Sequence, residues 1–240
     1  MPPFDLPEGS ARSAGIAVPR AVARPEHAFL ASVYLWMSAG LALTAVVSLL
    51  TVSTPALLQL VFGNQIVFFA LMIAQLGLVI GVSAAINRIS AGTATLLFLL
   101  YAALTGVTLA VVLLAYTGAS ITSAFVVSAG MFGALAVYGT TTKTSLAGWG
   151  SFLFMGLIGV VLASVVGLFW QNDTMQFVIA IVGVIVFTGL TAYDSQRLKA
   201  MALALPEDKL SSYAISGALS LYLNFINLFL SMLRLMGNRR

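Results

Sequence analysis

The feature that most constrains this chain is a series of seven long apolar runs, at about residues 29–52, 66–86, 93–116, 119–139, 148–170, 175–194 and 213–236. Each reaches the roughly 20 residues needed to cross the hydrocarbon core of a bilayer. Backbone groups inside lipid must be satisfied within the segment, and runs that lack the alternation of barrel strands achieve this as helices. The expectation is an all-α polytopic membrane protein of seven transmembrane helices. With 60% hydrophobic and 8% charged residues the chain cannot be a soluble globule, in which about 25% are charged. Residues 1–28, rich in Pro, Gly, Ser and Arg, read as a flexible tail before a single transmembrane domain at 29–240. That tail lacks the apolar core of a secretory signal.

Charge supplies the topology. Arg12, Arg20, Arg24, Arg88, Lys143, Arg197, Lys199 and Lys209 fall on one side of a seven-span arrangement, which is therefore expected to be cytoplasmic together with the N-terminus. Arg234, Arg239 and Arg240 fall on the other side; a last helix that re-entered would bring them back, but 213–236 is long enough to cross. The basic residues are scattered over loops and tails, so the net charge of +4 reads as orientation rather than nucleic-acid binding. Trp149 and Trp170 bracket the fifth span as interfacial aromatics, and Trp36 reads as packing. Gly77 and Gly81 form a small-xxx-small pair that would permit close helix approach.

Few groups could carry chemistry. There is no cysteine, the single histidine, His27, lies just outside the first span, and no lysine lies within one, so thiolate, zinc-thiolate, Ser/His and Schiff-base chemistry have no residues to use. Glycine-rich phosphate loops are missing too, and no enzyme activity or cofactor is expected.

Asp194 stands out, at the end of the apolar run in FTGLTAYDSQRLK. Intramembrane carboxylates usually mark an ion or proton path, with Thr188 and Thr191 extending a polar face above it. The alternative is an acid that ends its helix at the interface and pairs with Arg197 at i+3. In the last span Ser216, Ser220, Asn224, Asn227, Ser231 and Arg234 share an arc of roughly 80° at about 100° per residue. Such a stripe is costly in lipid, so it should face inward and make this helix the centre of the bundle.

Several long motifs in register carry a resemblance: VYLWMSAGLALTA, INRISAGTATLLFLLYAALTGVTLA, YGTTTKTSLAGWGSFLFMGLIGVVLASVVGLF, FTGLTAYDSQRLK and ALSLYLNFINLFLSMLRLMG. Together they resemble the Bax inhibitor-1 (TMBIM) family, in its bacterial branch, over nearly all of the chain after residue 28. The resemblance implies seven helices with the last surrounded by the others, and a pH-sensitive calcium leak in the bacterial inner (plasma) membrane. It also implies a gate in which two aspartates share a proton while an arginine latches it. Asp194 matches the first aspartate and Arg88 the latch. The second position is Asn224, in LYLNFINLF where the family has LYLDFINLF, and Ser145 stands in TKTSL where relatives carry aspartate.

An Asp facing an Asn cannot share a proton as two acids do, so the resemblance here implies a gate with an altered pH response. Thr188, Thr191, Ser216, Ser220, Asn227 and Ser231 would line the path, with calcium or other cations passing transiently rather than held tightly, since calcium prefers six to eight oxygen ligands including several carboxylates. The alternative function is that of some bacterial relatives, a membrane interaction protein that modulates a membrane-bound AAA protease or a stress response, with the N-terminal tail as the handle.

Overall fold

The computed structural model describes residues 25–85, 88–170 and 172–238. Among these, the helices are α1 (Pro25–Ser53), α2 (Pro55–Phe62), α3 (Gln65–Ala85), α4 (Ala91–Ala115), α5 (Gly118–Thr141), α6 (Gly150–Phe169), α7 (Asp173–Ala204) and α8 (Glu207–Met236). A single 3-10 turn, Ala147–Trp149, leads into α6. All but α2 are long and apolar enough to cross a membrane, which makes the chain a seven-span membrane protein. Most of the expected tail, residues 1–24, lies outside the described residues. Local chemistry sets the helix starts. Ser90, Thr117 and Asn172 each accept, through a side-chain oxygen, the backbone N–H three residues on, and Pro55 opens α2 where its missing N–H costs nothing.

The sixth span departs from its expected limits. Instead of ending at 194 and giving way to a connector over 195–212, α7 runs to Ala204 and α8 begins at Glu207, so that only Leu205 and Pro206 join them. The polar run after Asp194 does not stop a helix whose Ser195, Leu198 and Ala202 still have a buried partner face. That face packs on the first turns of α8, where Leu198 fills the space over Gly217. Proline makes the break, because its ring disfavours helical geometry at Leu205 and it has no N–H to donate.

Of the seven spans α8 is the most buried and α3 the least. α8 packs against α1, α4, α5 and α7, while α6 rests on α7 and α3 on α4. Its far end is fixed, since the Thr117 N–H donates to the Asn238 carbonyl at 3.2 Å and the Asn238 N–H to Ser120 Oγ at 2.9 Å. α8 therefore traverses the bundle rather than re-entering, with its last residues beside the α4–α5 turn and its first beside the end of α7.

Backbone polarity helps lock the core. Thr44 Oγ1 lies 2.9 Å from the Ala102 carbonyl and 2.6 Å from the Tyr222 hydroxyl. The Gly40 carbonyl of α1 is also 2.9 Å away, and carbonyls can only accept, so the Thr44 proton is shared between α1 and α4 while Tyr222 of α8 donates to Thr44. Tyr222 is fully buried with Phe98 and Tyr101 edge-on at 5.7 and 5.9 Å. Nearby, Ser48 Oγ donates to the Gly106 carbonyl at 2.7 Å, and a Cβ at Gly106 would lie 2.7 Å from the Thr44 carbonyl oxygen. Gly77 and Gly81, expected to allow close packing, have open space where a Cβ would stand. The small residues that set helix approach are on α4 and α5, because Gly139 likewise backs onto the Ala192 backbone of α7.

Gly106→Ala is accordingly expected to cost about 1–3 kcal/mol by forcing α1 from α4, whereas Gly77→Ala costs nothing measurable. Unfolding of the two purified variants in detergent checks the contrast.

Candidate functional site

The site forms where α7 and α8 run antiparallel. Asp194 lies ten residues before the end of α7, about 15 Å along the axis, and Asn224 lies 17 residues into α8, about 26 Å from its start. α7 has 32 residues, about 48 Å, and so overshoots a roughly 30 Å core, which leaves Asp194 inside the bundle and not at a helix end.

Asn224 Nδ2 donates to Asp194 Oδ2 at 2.8 Å, and both residues are buried, at 5% and 8% exposure. The other carboxylate oxygen is 3.7 Å from the Arg197 guanidinium, one turn on in the same helix, whose side chain is 53% exposed. The buried charge is therefore met by an amide from the facing helix and by a cation reaching in from the edge. Arg88, the expected latch, is exposed in the turn before α4 and lines neither cavity that reaches Asp194; the cation beside the carboxylate is Arg197.

Two cavities meet at this cluster. One, of about 280 Å³, lies toward the α7–α8 turn and is lined by Ser83, Met201, Tyr213, Ser216 and Gly217 among others. The other, of about 670 Å³, extends between α3, α6, α7 and α8 past Gln75, Tyr101 and Asn227. Asp194, Arg197 and Ser220 line both. Of the expected path residues, Ser216, Ser220 and Asn227 do face a cavity. Thr188, Thr191 and Ser231 face neither: the threonines donate to carbonyls of their own helix, Val184 and Phe187, and Ser231 donates to Asn227 and packs on Gly183. The physical reason is that a helical Ser or Thr can satisfy its hydroxyl on the preceding turn and needs no water.

The stretch of α7 after Asp194 ties down its neighbours. Tyr34 of α1 donates to Ser195 Oγ at 3.3 Å. Gln196 accepts the Leu146 N–H at 2.7 Å and donates to the Thr144 carbonyl at 2.9 Å, clasping the α5–α6 connection. Lys199 Nζ donates to the Thr140 carbonyl at 2.6 Å, placing a cation at the end of α5 where helix carbonyls are unmatched. The clasp is not legible in the sequence, where hydropathy falls after Asp194; Gln75, an amide midway along an apolar span, is a readable signal. Among the described residues no three His, Cys, Asp or Glu side chains converge as a metal site.

The family description "Inhibitor of apoptosis-promoting Bax1" matches residues 26–240. The chain belongs to the Bax inhibitor-1 family. It is 50% identical over 232 residues to the inner membrane protein YbhL of Escherichia coli K12, covering 95% of this chain and 98% of that protein. An uncharacterised protein of Borreliella burgdorferi is 45% identical, over 90% of this chain and 94% of its own length. The uncharacterised membrane protein SpyM3_0260 of Streptococcus pyogenes is 36% identical, over 87% of this chain and 92% of its own. This family member therefore aligns with bacterial relatives along nearly its whole length, the α7–α8 site included.

Gln196→Leu removes both bonds of the clasp and should speed amide hydrogen exchange across residues 142–149 by about tenfold or more, as local opening becomes easier. Exchange read by mass spectrometry, with α8 as the internal reference, checks this.

Proposed function

We propose that this Bax inhibitor-1 protein is a passive ion-leak channel of the bacterial inner membrane, passing calcium, with its gate at Asp194 and Asn224. The observation that carries the reading is the Asn224–Asp194 hydrogen bond of 2.8 Å at the partition between two cavities. The Escherichia coli relative YbhL, an inner membrane protein, supports the inner membrane. Clustering of Arg88, Lys143, Arg197, Lys199 and Lys209 at one end of the bundle supports a cytoplasmic smaller cavity. α1 begins at that same end, since Tyr34 reaches Ser195, which supports a cytoplasmic N-terminus.

In this reading the described arrangement is the closed one. The carboxylate that would attract a cation is already paired with an amide and a guanidinium, which bar the way between the cavities. Opening requires the α7–α8 hydrogen bond to break and Arg197, half in solvent, to swing away. The latch role passes from Arg88 to Arg197. Once freed, a lone carboxylate with Ser220 and Asn227 attracts a divalent cation without supplying the several carboxylates of a tight calcium site, so calcium transits and does not stay. Asn224 can donate to the carboxylate but cannot share a proton with it, which removes the coupled titration of an acid pair.

Calcium entry into liposomes carrying the protein tests the reading. Asp194→Asn should lower entry about tenfold, equivalent to roughly 1.4 kcal/mol in the barrier, while Arg197→Ala raises basal entry. Asn224→Asp should create a coupled acid pair and make entry steeper in pH between about 6 and 8. Unchanged flux in Asp194→Asn would remove the gate from this position.

A further inference from the structure

We propose that the larger cavity is also a lateral binding cleft for an uncharged lipid whose head presents carbonyl oxygens, of the kind carried by a tailed quinone. The cleft lies between α3 and α6, with apolar walls that include Val79, Leu157 and Val161. At its mouth Leu76 and Phe154 are 61% and 58% exposed, on helices that face the bilayer, so the way in is sideways from lipid. Its volume, about 670 Å³, falls within the roughly 300–1,000 Å³ of small-molecule pockets.

The polar floor sets the chemistry of the occupant. Gln75 stands at the middle of the 21-residue α3, near the bilayer midplane, and its Nε2 is buried with no hydrogen-bond partner among the described residues. Its Oε1 is 3.5 Å from the Thr105 hydroxyl, which also donates to the Tyr101 carbonyl at 2.9 Å, and the end of the amide without a partner is the N–H donor. An orphan donor at that depth calls for an acceptor oxygen delivered from the membrane. Charge narrows the choice further. Among the described residues Asp194 and Arg197 are the only charged ones lining the cleft, and they lie 3.7 Å apart, so the floor is neutral overall and a charged head would be left without a counterion. A carbonyl-bearing head on an apolar tail fits the unmet donor, the neutral floor and the greasy entrance together. Leu76 and Phe154 would clasp the tail while the amide of Gln75 holds the head.

Native mass spectrometry of the full chain released from detergent micelles, titrated with decylubiquinone, tests the assignment. The expected result is a saturable complex of one quinone per chain. Gln75→Leu should weaken it about fivefold, the worth of one hydrogen bond, and Leu157→Trp, which fills the cleft, should abolish it. Leu49→Trp, in the separate groove between α1, α4 and α5, should leave it unchanged and shows that an added indole alone is not the cause. Non-saturating adducts, adducts indifferent to Gln75→Leu and Leu157→Trp, or tighter binding of dodecylamine or dodecanoate than of the quinone would each overturn the proposal. The readout involves no ion flux, so it stands or falls apart from the channel reading.

Discussion

A single buried carboxylate is the constraint on which the rest of the site depends. Asp194 is 8% exposed inside a bundle of apolar helices, where an unpaired charge would cost several kcal/mol. The fold meets it with an amide from α8 and a guanidinium from the next turn of α7. The α8 amide fixes the register of α7 against α8, since Asn224 reaches the carboxylate only at one vertical setting. That setting in turn puts Leu198 over Gly217 and Ser231 against Gly183, so the packing above and below follows from the polar contact at the centre.

Around that contact the helices divide into two kinds. α1, α4, α5 and α7 surround α8 and are bound to it or to one another by polar anchors within the core, such as Thr44 with Tyr222 and Ser48 with Gly106. α3 and α6 lie further out, on α4 and α7, and leave between them the larger cavity. The rigid part holds the carboxylate in place while the outer pair shapes the space that reaches it. Residues 195–199 join the two levels, because they belong to the same helix as the carboxylate yet tie α1, α5 and the α5–α6 connection.

Much of the fold was legible in the sequence, since spanning length and hydropathy do not depend on tertiary contacts. Five of the seven spans begin and end within a few residues of where apolar runs do. The junction of α7 and α8 was not legible in that way. Hydropathy falls at Asp194, but a helix needs only one buried stripe to continue, and the stripe of Ser195, Leu198 and Ala202 is visible only once α8 covers it. The inward polar face of α8 could be read from its angular spacing, although not every member meets a cavity: Ser231 turns back to its own helix, and Arg234 is exposed at the end. Arg197 was readable as an i+3 neighbour of Asp194, whereas Arg88 entered through resemblance and lies elsewhere. Gln75 and Tyr101 share the cavity with Asp194 only through tertiary folding, which no local pattern encodes.

Asn224 and Asp194 are a donor and an acceptor, so the pair makes a fixed hydrogen bond in which the amide has no acidic proton to share. The contact is therefore a structural lock between α7 and α8. A double-mutant cycle between Asp194→Asn and Asn224→Leu, measured by reversible unfolding in mixed micelles, tests that lock most directly. The account predicts a coupling of about 1.5–3 kcal/mol, the worth of a buried hydrogen bond to a charged group. Additive effects, with coupling near zero, would contradict it.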